Sequence, residues 1–153
     1  MNSQISNITE LVIYALERKA GVPQTNILLK LEHVSDTIIR KIKDETGIEL
    51  MEYRFVMTSS SINHSLNNHA NPKIEAKRNP PQIAIHEDDF LLIPQIFSNP
   101  DKIVKAEKVG DTQRIKFYKS IENKRYVAVA EIRTGRQSIC LVTLYVIENK
   151  TPI

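Results

Sequence analysis

The sequence predicts an α+β protein in which N-terminal helices pack on a four-stranded antiparallel β-meander. Three observations carry that prediction. Apolar residues recur at helical spacing through most of the first part of the chain, and they alternate with period two from Ile103 onward. The connections between the alternating runs are short and hold turn residues, so successive strands must run antiparallel. At 153 residues the chain is the size of one domain with one core. Its expected organisation is a helical region over 1–47 and a sheet-bearing domain over 48–153.

The elements follow in order. Asn7 is placed to cap a first helix, with Glu10 three residues on as its capping-box partner, and Ile8, Leu11, Val12, Ala15 and Leu16 form one apolar stripe. Gly21 and Pro23 end it. Thr25 would cap a short second helix carrying Ile27, Leu28 and Leu31, and Ser35 a third with Ile38, Ile39 and Ile42 inward and Gly47 as its stop. Glu49 to Met57 reads as extended. Thr58 to Ser61 offer several caps for a short helix bearing His64, which frays by Asn67 and Asn68. The three prolines between Asn71 and Gln82 mark a loop. Glu87 to Ser98 reads as a helix that Pro94 kinks or breaks, with His86 as a cap or surface group.

Four strands are then expected: Ile103–Val109, Arg114–Ser120, Tyr126–Arg133 and Ser138–Ile147, joined through Gly110-Asp111, Glu122-Asn123 and Thr134-Gly135. Strict alternation would put Val127, Val129, Glu131 and Arg133 on one face of the third strand. It would put Ile139, Leu141, Thr143 and Tyr145 together on the fourth. A face that runs from apolar into Glu, Arg, Thr and Tyr is a plausible catalytic floor, and an exposed sheet rim would look similar.

Composition narrows the chemistry. The net charge is +3, and from Lys102 to Arg136 there are ten Lys or Arg against four Asp or Glu. The basic excess therefore falls on the sheet half, as suits a nucleic-acid ligand or a solvated sheet face. No apolar run approaches the roughly 18 residues of a membrane span. The polar N-terminus lacks a signal-peptide pattern, as would a domain cut from a larger exported chain. The single cysteine, Cys140, reads as a small buried hydrophobe. The four histidines show no metal-binding pair, so no metal and no cofactor are expected. Four glycines in no phosphate-loop arrangement argue against a nucleotide fold, and no nucleophile elbow is present. What remains suits RNA cleavage without a metal, which needs a base, an acid and fixed positive charge. His64 and His69 could move protons, Arg133 and Lys119 could hold phosphate, and Thr143 and Tyr145 could donate hydrogen bonds.

An ordered set of segments sharpens this reading. They are Ser61 to His69, Gln82 to Ile85 with Asp89-Phe90 and Ile93-Pro94, Asn99-Pro100-Asp101, Phe117-Tyr118-Lys119, Tyr126-Val127 through Arg136, and Leu141 to Tyr145. Together they resemble the phage-associated nucleases of the barnase–EndoU–colicin–RelE superfamily, from about Ile48 to Tyr145. The resemblance implies an RNase fold and metal-independent cleavage of RNA, often transfer RNA, leaving a cyclic phosphate. It carries His64 and His69 onto the helical histidines of the family, with His69 first by position. It carries Lys119, Glu131, Arg133, Thr143 and Tyr145 onto the polar sheet positions; catalysis would fall to the histidines with Arg133, Thr143 and Tyr145, and substrate binding to Lys119, Glu131 and Arg136. Ala70 stands where the family would have glycine.

The resulting expectation is a toxin-type RNase. It would act on transfer RNA in the cytoplasm of a target bacterium, be delivered as the C-terminal part of a larger exported toxin, and be neutralised by an acidic immunity protein. A non-catalytic RNA-binding or adaptor domain, and a phage RNase without an immunity partner, are the alternatives.

Overall fold

A computed structural model describes residues 5–18 and 21–149. The ends of the two expected regions, 1–4 and 150–153, lie outside the described residues. In chain order the elements are α1 (Ile8–Leu16), β1 (Leu28–His33), α2 (Asp36–Thr46), β2 (Arg54–Thr58), α3 (Ser59–His69), α4 (Pro72–Ala76) and β3 (Gln82–Ile83). A 3₁₀ turn (Glu87–Leu92) then leads into α5 (Ile93–Ser98), followed by β4 (Lys102–Lys105), β5 (Arg114–Ile121), β6 (Lys124–Arg133) and β7 (Ser138–Glu148). No helix among the described residues is long and apolar enough to cross a membrane.

The helix boundaries follow local chemistry. Asn7 caps α1 by accepting from the Glu10 N–H, and Ser35 caps α2 by accepting from that of Ile38. Gly47 ends α2 at φ 76°, a left-handed conformation that glycine adopts without Cβ strain. Thr58 and Ser61 form a reciprocal capping box at the start of α3. Pro94 falls in the first turn of α5, where its missing N–H costs nothing, and the break expected there separates the 3₁₀ turn from α5.

Two expectations fail here. Leu28–His33 is a strand, not a second helix. Its backbone pairs antiparallel with β2 and only Leu29 is fully inward, so tertiary pairing overrides a helical spacing that rested on three residues. The expected loop from Asn71 to Gln82 holds α4, because Asn71 caps it and Pro72 occupies its first turn.

The sheet has seven strands, not four. Its order is β1-β2-β7-β6-β5-β4, with β3 paired to β7 as well. All pairings are antiparallel except β2 with β7. The far edge of β7 is therefore shared. β2 takes Ser138 to Cys140, β3 takes Val146 and Ile147, and between them the Leu144 N–H donates to the Ser65 hydroxyl of α3 at 3.0 Å. The helix fills the gap in the ladder with a side chain.

One face of the sheet meets the core. Phe55 and Phe97 stack at 4.5 Å, and Phe117 meets both edge-on at 5.9 and 5.0 Å. Ile8, Leu11 and Ala15 of α1 belong to the same cluster as Phe55, Ala128 and Leu144. The described part of residues 1–47 thus shares a core with the rest.

Candidate active site

The opposite face of the sheet is organised by register. The two-residue turn Glu122-Asn123 fixes β5 against β6, and three cross-strand rows result: Arg114–Glu131–Cys140, Lys116–Val129–Thr143 and Tyr118–Val127–Tyr145. Strict alternation along β7 fails at one place. Ala130 faces Leu141 while Val129 faces Thr143, so Val142 is an extra residue. The bulge turns Thr143 and Tyr145 onto the face of Cys140 and leaves Ile139 and Leu141 with Leu144 and Val146 in the core. The expected grouping of Ile139 and Leu141 with Thr143 and Tyr145 is corrected accordingly.

Helix α3 stands beside this face. Its stripe Ser61, Ser65, His69 lies toward β7, as a spacing of four residues requires. Ser65 is fully buried; its hydroxyl donates to Ser61 O at 2.8 Å and lies 3.2 Å from the Thr143 hydroxyl. His69 carries the stripe on to Tyr145, with ring centroids 5.4 Å apart. The His69 Nδ1 is 3.0 Å from Glu75 Oε2, and Glu75 Oε1 accepts from Arg78 Nε at 2.7 Å. Glu75 is fully buried and the His69 side chain is only 12% exposed. A buried carboxylate is tolerated there because cationic or hydrogen-bonding groups meet both its oxygens.

His64 sits on the neighbouring stripe and is exposed. It lines a cleft of about 320 Å³ together with Arg114, Glu131, Arg133, Asn26 and the hydroxyl residues Thr58, Ser60 and Ser61. Glu131 is held between two guanidiniums: Arg133 Nε donates to Oε1 at 2.7 Å, and Arg114 Nη2 stands 4.0 Å from Oε2. The Arg114 Nε is buried and has no acceptor among the described residues. With two guanidiniums and one carboxylate on its lining, the cleft keeps cationic charge that suits an anion.

The expected site residues therefore divide. His64, Glu131 and Arg133 come together in the cleft. His69 and Tyr145 form a second cluster farther along α3, with Thr143 between the two through Ser65. Arg136 lies in an adjoining cleft of about 620 Å³ that shares Arg133 with the first. Lys119 does not belong to the site. It alternates with Tyr118 and Ser120, so it faces the other side of β5, where it pairs with Asp101 at 3.4 Å. Arg114, Lys116, Ser65, Glu75 and Arg78 escaped the sequence reading. Counting back from the Glu122-Asn123 turn would have placed Arg114 opposite Glu131.

Burial decides the state of three further groups. Desolvation pushes the Cys140 thiol up to about 11, which makes it an apolar filler and not a nucleophile near neutrality. Burial also raises Tyr145 and Tyr118, the latter helped by its neighbour Tyr145, so both remain hydroxyls able to donate. Among the described residues no three His, Cys, Asp or Glu side chains lie close enough to hold a metal ion.

Residues 32–152, well over half of the chain, match the family described as phage-Barnase-EndoU-ColicinE5/D-RelE like nuclease3. No curated protein and no solved structure matches.

Proposed function

Since the chain belongs to this phage-associated nuclease family, we propose that it is an endoribonuclease whose chemistry takes place in the cleft between α3 and strands β5 and β6. The observation that carries the reading is the convergence there of His64, Glu131, Arg114 and Arg133, with the Arg114 Nε lacking an acceptor among the described residues. Of the groups on that cleft, an imidazole and a carboxylate are the side-chain types that serve as general bases and acids, and the guanidiniums are those that hold phosphate charge.

The reaction these groups suit is intramolecular attack by a ribose 2′-hydroxyl on the adjacent phosphorus. One of the pair, Glu131 or His64, takes the 2′-hydroxyl proton. The other gives a proton to the departing 5′-oxygen, and a 2′,3′-cyclic phosphate remains. Arg114 and Arg133 neutralise the charge that gathers on the phosphorane oxygens, the part a metal ion would otherwise play. His69 acts through position: tied to Glu75 and set against Tyr145, it fixes the C-terminal end of α3, the helix that carries His64 at its middle. Transfer RNA is the proposed substrate class. The proposed setting is a toxin acting in a target cytoplasm, restrained by an acidic immunity protein that covers the Arg114, Lys116 and Arg133 face.

The test is incubation of the purified protein with total bacterial RNA in the presence of EDTA. Discrete transfer RNA fragments with cyclic phosphate ends are expected. His64→Ala and Arg133→Ala should each slow their appearance by about a hundredfold or more, and Lys119→Ala should leave the rate unchanged. Full activity of His64→Ala alongside an inactive, folded His69→Ala would move the chemistry to the His69–Tyr145 cluster. RNA binding that weakens with salt but never leads to cleavage would make the domain an RNA-binding module.

A further inference from the structure

His64 also lines a second pocket, of about 400 Å³, which shares Asn26, Ser60 and His64 with the cleft but not Arg114. That volume is within the roughly 300–1,000 Å³ of small-ligand sites. Its character differs from that of the cleft. The lining includes Gln24, Asn26, Asn63 and Asn67, with Arg18 as its cation and no carboxylate. We propose that this amide-lined pocket is a nucleobase subsite that selects which nucleotide is presented to His64. The inference rests on the nuclease reading for its substrate class and adds the specificity element.

The hydrogen bonding explains why a base would fit. Gln24 is fixed at both ends: its Nε2 donates to Tyr14 O at 2.6 Å and its Oε1 accepts from Asn63 Nδ2 at 3.2 Å. Asn26 Oδ1 accepts from the Ser60 N–H at 2.9 Å. Tyr14 in turn donates its hydroxyl to Thr25 O at 2.8 Å, which buttresses this stretch on α1. These bonds leave the Asn26 amide N–H₂, the Asn63 carbonyl oxygen and the whole Asn67 amide without partners among the described residues. Uncharged donors and acceptors, those of Asn26 and Asn63 held in place by these bonds and that of Asn67 free to adapt, are the means by which proteins read the edge of an unpaired RNA base. A phosphate would prefer the neighbouring cleft, with its two guanidiniums. His64 thus stands where base and scissile phosphate of one nucleotide would part.

The origin of the lining residues matters as much. Arg18, Gln24 and Asn26 precede residue 32, where the family match begins, whereas Asn63, His64 and Asn67 lie within it. Four of the nine lining residues, Pro23 with these three, are therefore contributed by sequence outside the family match. The segment before β1 would tune base preference without altering the chemistry beside it.

The experiment is an NMR titration of the whole protein with each of the four nucleoside 3′-monophosphates, following the side-chain amides of Asn26, Asn63 and Asn67. Cleavage preference on a mixed-sequence RNA is measured in parallel. One base is expected to shift these amides at concentrations about tenfold lower than the others, and to match the preferred cleavage position. Asn67→Ala, at an exposed residue whose side chain makes no bond among the described residues, should reduce the discrimination to about two- to threefold. Four bases acting alike, or shifts absent from these amides, would overturn the subsite even if cleavage proceeds. Base-selective shifts in a protein that cleaves nothing would support the subsite and sink the catalytic reading instead.

Discussion

Ser65→Ala removes one oxygen atom from the interior and should cost far more than its size suggests. The hydroxyl is fully buried, accepts from the Leu144 N–H at 3.0 Å, donates to Ser61 O at 2.8 Å and lies 3.2 Å from the Thr143 hydroxyl. Alanine fits the space, so packing is hardly disturbed. The loss is the acceptor. Leu144 lies between the stretches of β7 paired to β2 and β3, and neither strand can supply a carbonyl at that place. A buried N–H left without an acceptor costs about 1–3 kcal/mol. For a chain of this size that is a fall in Tm of roughly 3–9 °C. Calorimetry of the variant beside Ser60→Ala provides the measurement. Ser60 is exposed and its hydroxyl enters none of these bonds, so it should change stability by less than about 0.5 kcal/mol. A Ser65→Ala protein melting within about 1 °C of the parent would refute the reasoning, because the Leu144 N–H would then have found another acceptor.

Two further outcomes follow from buried groups. Glu75→Gln keeps the shape of the buried side chain and removes its charge. It should destabilise by about 2–3 kcal/mol in urea titration, below the roughly 3–5 of a fully buried pair, because the Arg78 side chain is 35% exposed. No change in midpoint would mean that His69 and Arg78 gain nothing from the carboxylate. On the other face of the sheet, burial, aided by Asp89, pushes the Tyr126 hydroxyl up to about 12. The folded state then favours the neutral phenol, so this contribution is complete below the unfolded value of about 10. It is lost as pH rises from there through about 12. Urea midpoints should fall across that window, and Tyr126→Phe should flatten the decline; an unchanged slope in the variant would assign the alkaline loss elsewhere.

What could be read from the sequence was whatever is decided within a few residues. Asn7, Ser35, Gly47 and Thr58 set helix ends by contacts three or four positions away, and the structure places them so. Pairing across long separations was not legible. β1 joins β2 only because a distant strand end is open to it, and the parallel contact of β2 with β7 spans more than eighty residues. The bulge at Val142 defeats period-two counting, since one extra residue exchanges the faces of everything after it. The candidate site was legible as residue types and only partly as a constellation. His64, Glu131 and Arg133 meet as the sheet register allows, whereas alternation along β5 turns Lys119 to the opposite face, toward Asp101. Glu75 and Arg78 carried a local signal, the Asn71-Pro72 helix start with an acid and a base three residues apart, which the count of prolines obscured.

The position of β7 has a consequence for how the protein comes into being. It is the last strand of the described chain, and its neighbours β2, Ser65, β3 and β6 all precede it. On a ribosome, each of those partners emerges and waits with an edge open until Ser138 to Glu148 follow. Thr143 and Tyr145 arrive with that strand, and the walls formed by Glu131 and His64 are brought into register only when it docks. A growing chain that stops before Ser138 therefore holds every one of the cleft's charged groups and no working arrangement of them. For a member of a nuclease family, the late, long-range closure of the sheet thus times the assembly of the cleft, whose walls come together only after β7 has been made.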